Sequence, residues 1–249
     1  MSLSIRPTGA MVIIEGHVAS ITLDSGAGLN LLDAALREDF ATAVQSVADN
    51  RDVRVVIVTG ARGVFACGIE PILDDLAPAA GAARVIAALR NPTLAWIDGE
   101  CLDMGLELAL ACDVRFASPT STFGLRGVQQ GALPWDGGTQ RLVRAVGRGH
   151  AMRLLLTGEV VGAEEALRIG LIQGIGDAQV AATWAVRAAA GAPIASAYAK
   201  EAVTEAGDLT LGQGLRLEVD LSILLQSTAD RAEGIVAFTA KRKRAFEGR

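Results

Sequence analysis

The sequence predicts an α/β fold, and three observations carry that prediction. Short β-branched or alternating runs recur up to about Gly138, each followed by a turn or a helical pattern. One of them, "VRVVIVTG", is continuously apolar apart from its arginine and ends at Gly60, as a strand buried on both faces does. From Pro193 onward almost everything reads as helix. Alternation of strand and helix is the signature of an α/β domain. The expected division is a core over residues 1–190 and a helical region over 191–249.

Taken in order, "MVIIEGHVASITL" reads as two strands around Glu15-Gly16, a hairpin. "LNLLDAALREDFATAVQSVAD" carries apolar residues at helical spacing: Leu32, Leu36, Phe40, Val44 and Val47. "PTLAWIDG" and "DVRFAS" are two further strands. Between them "CLDMGLELALACD" is a mostly apolar helix pattern with one carboxylate, Glu107, near its start. After Gly138, "TQRLVRAV", "GHAMRLLLTG", "GAEEALRIG" and "QVAATWAVRAAAG" read as helices. The chain closes on the basic stretch "KRKR".

Composition narrows the function. A net charge of -5 over 249 residues argues against a nucleic-acid partner, which needs a basic face. No apolar run reaches the ~18 residues of a membrane span. The three cysteines, Cys67, Cys101 and Cys112, form no CxxC pair, and only His17 and His150 offer imidazole, so no metal site is expected. No Gly-rich dinucleotide fingerprint follows any strand, so no cofactor is expected either. The odd cysteine count and the lack of a signal-peptide pattern point to a cytoplasmic location.

Two glycine-bearing loops stand out. In "VIVTGARGVFACGIEPI", Gly68 lets the backbone turn so that an N–H faces a ligand, although an ordinary strand-to-helix loop reads the same way. In "DGECLDMGLELALACD", free N–H groups at the helix start make an electropositive spot. Glu107 there is either a first-turn glutamate favoured by the dipole or a proton carrier.

Six segments in order resemble the crotonase superfamily, the enoyl-CoA hydratase/isomerase family, over essentially the whole chain. Residues 30–36 resemble its first helix, which begins with an asparagine. "FACGIE" is similar to F-x-A-G-A-D, and "IDGECLDMGLELALACD" to N-G-x-x-x-G-G-G-x-E-L-A-x-x-C-D. "GALPWDGGTQRLVRAVG" is similar to G-x-x-P-x-x-G-G-T-Q-R-L-x-R-x-x-G. "GEVVGAEEALRIGLI" and "AFTAKRKRAF" resemble two further family segments. The resemblance implies a crotonase-like spiral of ββα units with a C-terminal helical trimerisation region, a trimer or dimer of trimers, and an acyl-CoA substrate. It implies an oxyanion hole from the N–H groups of Ile69 and Met104, with Gly68 and Gly105 shaping the two loops. Such a donor is worth roughly 3–4 kcal/mol in the best-known case. Glu107 then moves a proton at the α or β carbon.

Departures from the family pattern sharpen the expectation. The place of the hydratases' second glutamate is Gly127, which cannot transfer a proton. Asp136 in "PWDGG" either supplies the second carboxylate, as in some family isomerases, or is a turn aspartate. The usual G-G-G is Asp103-Met104-Gly105. Asp103 either caps the helix or disfavours an enolate. Glu70 and Pro71 follow the first donor. Trp135, large where glycine is usual, is a pocket wall or packing. The usual basic residue before the first helix is missing, and Arg62 is the candidate to compensate. Phe238 and Lys241 match positions that touch coenzyme A, often from a neighbouring subunit; by pattern alone the tail is a solvated basic segment. The favoured activity is hydration of an α,β-unsaturated thioester, with Glu107 and Asp136 sharing acid and base duties. Double-bond isomerisation, or a CoA-thioester-binding protein of low activity, are the alternatives.

Overall fold

The computed structural model describes residues 8–26, 28–68 and 81–249. Ile69, Glu70 and Pro71 lie outside the described residues.

Strands β1 (Gly9–Glu15) and β2 (Val18–Asp24) form the expected hairpin. Gly16, at φ 60°, supplies the left-handed turn. Strand β2 then pairs in parallel with β3 (Val55–Gly60), β3 with β5 (Thr93–Ile97), β5 with β7 (Val114–Ala117), and β7 with β10 (Gly174–Ile175). Their inner residues Ile21, Val56, Val58 and Ala95 are fully buried, which explains the unbroken apolar run in β3. A second sheet, of β4 (Val64–Ala66), β6 (Glu100–Leu102), β8 (Thr122–Gly124) and β9 (Val161–Gly162), stands at the ends of the first. Its strands have two or three residues, too short for any alternation to announce them.

Helix α1 (Ala34–Ala48) buries Leu36, Phe40, Val44 and Val47, and Asp33 caps it by accepting from the Leu36 N–H. The helix therefore starts four residues after Asn30. Asn30 instead sits at φ 42°, and its amide donates to the Ala61 and Val64 carbonyls at 3.0 and 2.8 Å, pinning the β3–β4 turn. Helix α2 is Ala82–Ala87. All eight residues of α3 (Met104–Ala111) are buried, so this helix runs through the core. Gly105 makes its entry possible: a Cβ there would overlap the Ala66 carbonyl of β4.

The two helices expected after Gly138 are one element, α4 (Gly138–Thr157), kinked at Gly147. Helices α5 (Ala163–Arg168) and α6 (Ala178–Ala189) complete the layers around the sheets. The last helices are α7 (Pro193–Glu205), α8 (Leu211–Gln226) and α9 (Ala229–Thr239). Polar ties attach this part to the core. Lys200 reaches Asp113 at 2.9 Å, and Arg54 donates to the Phe246 carbonyl at 2.6 Å. Apolar burial there is sparse: α7 buries no residue, and α8 only Leu221.

Candidate active site

A cleft opens at the start of α3. One wall is Gly68, Asp103, Met104 and Glu107; the other is Leu125, Gly127 and residues 132–135. The two loops singled out in the sequence thus meet at one place.

Glu107 is 2% exposed. Its Oε1 accepts the N–H of Asp136 at 2.9 Å and that of Gly138, the first residue of α4, at 2.7 Å. Its Oε2 takes no hydrogen bond among the described residues. Burial pushes the Glu107 carboxyl up to about 7, against the opposing pull of the two N–H donors. A carboxyl poised near neutrality with one oxygen free can hold or release a proton at working pH.

Asp136 is also buried, but its oxygens are spent differently. Oδ2 accepts the Ala83 N–H at 2.7 Å and Oδ1 the Arg84 N–H at 3.2 Å. These are orphan donors of the first turn of α2, so Asp136 caps that helix from across the fold. Gly81 leaves the room, since a Cβ there would collide with the carboxylate. Burial raises the Asp136 carboxyl too. Asp136 does not line the cleft. The Asp136 backbone N–H thus serves Glu107, while its side chain accepts from the first turn of α2.

Other expected residues also differ in what they do. The Met104 N–H, expected as an oxyanion donor, donates to the Gly68 carbonyl at 3.0 Å. Ile69 lies outside the described residues. Gly68 lines the cleft, whereas Gly105 packs against β4. Arg62 donates to buried Asp24 through two bonds, at 3.0 and 3.1 Å. Trp135 is both wall and packing: it lines the cleft, and the Arg37 guanidinium lies 5.6 Å from its ring centre. Phe238, 82% exposed, ends α9 with Lys241 beyond it, and neither lines the cleft of its own chain.

Asp103 makes no capping bond to α3. Its carboxylate accepts the Arg126 backbone N–H at 2.6 Å, and the Arg126 guanidinium at 3.0 and 2.6 Å. Arg126 was not marked by any motif. Its partner lies 23 residues away, and only the fold brings them together.

The fold and this site define a CoA-thioester enzyme of the crotonase type. The profile of the enoyl-CoA hydratase/isomerase family matches residues 14–249, and the chain belongs to that family. A Rhizobium meliloti protein named "probable enoyl-CoA hydratase" is 36% identical, over 96% of this chain and 98% of its own. The 2,3-dehydroadipyl-CoA hydratase of Escherichia coli is 34% identical, over 94% and 97%. The crystal structure of an enoyl-CoA hydratase from Bacillus anthracis superposes with a TM-score of 0.89 at 31% identity, covering 97% of this chain and all of that one.

Proposed function

We propose that the protein is an enoyl-CoA hydratase, adding water across the double bond of an α,β-unsaturated coenzyme A thioester. The observation that carries this is Glu107: a buried carboxyl raised to about 7, with no partner on Oε2 among the described residues, on the wall of an apolar cleft. The hydratases among its relatives support the same reading. Glu107 gives its proton to the α carbon as water oxygen bonds to the β carbon, and the proton that the water gives up restores Glu107 through solvent. The thioester oxygen carries the transient enolate charge and takes the N–H of Ile69 and that of Met104. The Met104 donor is then shared with, or released from, the Gly68 carbonyl. Hydration changes no oxidation state, and no cofactor is needed beyond the coenzyme A of the substrate.

The proposed assembly is a homotrimer or a dimer of trimers. Leu211, Leu215, Val219 and Ile223 form an exposed apolar stripe along α8, and Phe238 adds to the unpartnered apolar surface on α9. A partner subunit covering that surface would bring Phe238 and Lys241 toward a neighbour's coenzyme A. Three unpaired buried cysteines fit a reducing cytoplasm, where fatty acyl-CoA metabolism supplies the substrate. Among the described residues, no helix is long and apolar enough to cross a membrane.

One observation favours double-bond isomerisation as the second reading: with Gly127 bare and Asp136 committed to α2, a single carboxylate can still shuttle one proton between carbons. Purified protein given a panel of 2-enoyl- and 3-enoyl-CoA thioesters decides by mass and ultraviolet absorbance. Gain of one water by the 2-enoyl substrates is expected. A shifted double bond at unchanged mass, with no hydration, would overturn the hydratase reading.

A further inference from the structure

The site as described has one carboxyl with a free oxygen, while addition of water involves two centres, oxygen at the β carbon and a proton at the α carbon. The cleft contains a second carboxylate in an unexpected place. Asp103 and Glu107 stand one turn apart at the start of α3, joined by the Glu107 N–H donating to the Asp103 carbonyl at 3.0 Å, and both line the cleft. The opposite wall carries no acid among the described residues. A Cβ on Gly127 would come within 3.1 Å of the Ala132 carbonyl oxygen, so a side chain there is crowded.

The Asp103 backbone points the same way. Its φ is 53° and ψ -116°, a strained conformation that non-glycine residues rarely adopt. A glycine would hold this turn without strain. The strained aspartate is retained with its carboxylate in a fork: one Arg126 backbone N–H on Oδ1, and the guanidinium Nε and terminal nitrogen on Oδ2. A carboxylate has about four acceptor directions, and these three bonds leave about one of them open. The side chain is 6% exposed, so it is oriented by Arg126 rather than by solvent.

We propose that Asp103, oriented by Arg126, is the second carboxylate of the active site and holds the water that adds to the β carbon. This rests on the hydratase reading above. The water oxygen bonds to the β carbon while one of its protons passes to Asp103. The electron pair of the double bond moves toward the α carbon and the thioester oxygen. Glu107 delivers its proton to the α carbon. The proton left on Asp103 returns to Glu107 through solvent, and the net change is one water added. Arg126 is a positioning residue: it fixes the carboxylate and does not touch the substrate.

The two proton sites separate experimentally, because exchange at the α carbon involves Glu107 and no added water. Crotonyl-CoA hydration and deuterium exchange into the α position of butyryl-CoA are measured on the wild type and on Asp103→Asn. The expected result is a kcat for hydration about 100-fold lower, the lower end of general acid–base effects, with exchange lowered far less. Exchange also reports that the variant is folded. Arg126→Gln keeps the Asp103 carboxylate while removing its guanidinium fork, and carries the test if Asp103→Asn does not fold; about a 10-fold selective loss of hydration is expected. Equal loss of hydration and exchange in the folded variants, or no loss, overturns the assignment. Wild-type protein that exchanges the α hydrogen but hydrates no enoyl-CoA overturns the hydratase reading and the assignment with it.

Discussion

Two buried carboxylates are neighbours in this protein, one at the start of α3 and one in the turn that enters α4. Both are gripped by backbone N–H groups, yet the allocation differs. Glu107 receives two donors on Oε1 and, among the described residues, none on Oε2, and it stands on a cleft wall. Asp136 receives one donor on each oxygen and faces the first turn of α2. Glu107 lines the cleft, where a carboxyl oxygen can meet a substrate carbon, whereas Asp136 does not line it and its two hydrogen bonds hold a helix end. The comparison can be broken at either member.

The largest expected effect is on turnover. Glu107→Gln keeps an oxygen for the two N–H donors and removes the transferable proton. Steady-state hydration of crotonyl-CoA should fall by about 100-fold or more, with a small change in KM. Full activity in the variant would remove Glu107 from the chemistry.

The pH dependence comes next. The Glu107 carboxyl is raised from 4.5 to about 7 by burial, so the folded protein binds this proton more tightly than the unfolded chain does. Its stabilising contribution is complete below about pH 4.5 and is lost as pH rises through about 7. The window is on the order of 3 kcal/mol wide. Denaturant titrations should show wild type losing stability relative to Glu107→Gln between those limits. In the wild type, kcat/KM should decline above about pH 7 as the acid form is lost. A Glu107→Gln variant whose stability follows the wild type in parallel over that range would contradict the buried, raised carboxyl.

Asp136→Asn should act on stability. An amide oxygen accepts from one of the two α2 donors, and the other loses its charged acceptor. The cost is about 1–2 kcal/mol, seen as a melting temperature lower by roughly 2–8 °C for a domain of this size. An unchanged melting temperature would mean that the capping bonds contribute nothing.

The smallest effect is assigned to Arg62→Ala. Its guanidinium is held by Asp24, so acyl-CoA binding measured by calorimetry should weaken by less than about 2-fold. A 10-fold loss would restore Arg62 as a coenzyme A contact.

What the sequence made legible divides along the same line. Glu107 could be placed because a whole helix of apolar neighbours and a glycine two residues before it define its setting within one local segment. The hairpin, α1 and the β-branched β3 were readable for the same reason: their period is contained in their own residues. Asp136 was visible as a carboxylate in a turn, but the donors that occupy it lie 52 and 53 residues earlier, in α2. Arg62 looked free because Asp24 is 38 residues away. Strands β6 and β8, three residues each, carry no periodicity, yet they set Asp103 beside Arg126. Local pattern thus reveals which side chains are chemically able, and long-range hydrogen bonding decides which of them are left free to act.

The most direct test of that division is the hydration turnover of Asp136→Asn, expressed per folded molecule and set beside Glu107→Gln under the same conditions. If Asp136 braces α2 and Glu107 carries the proton, the folded Asp136→Asn protein retains turnover within about 5-fold of wild type while Glu107→Gln loses about 100-fold or more. A folded Asp136→Asn protein that loses turnover to the same extent would contradict it, and would make Asp136 a proton carrier after all.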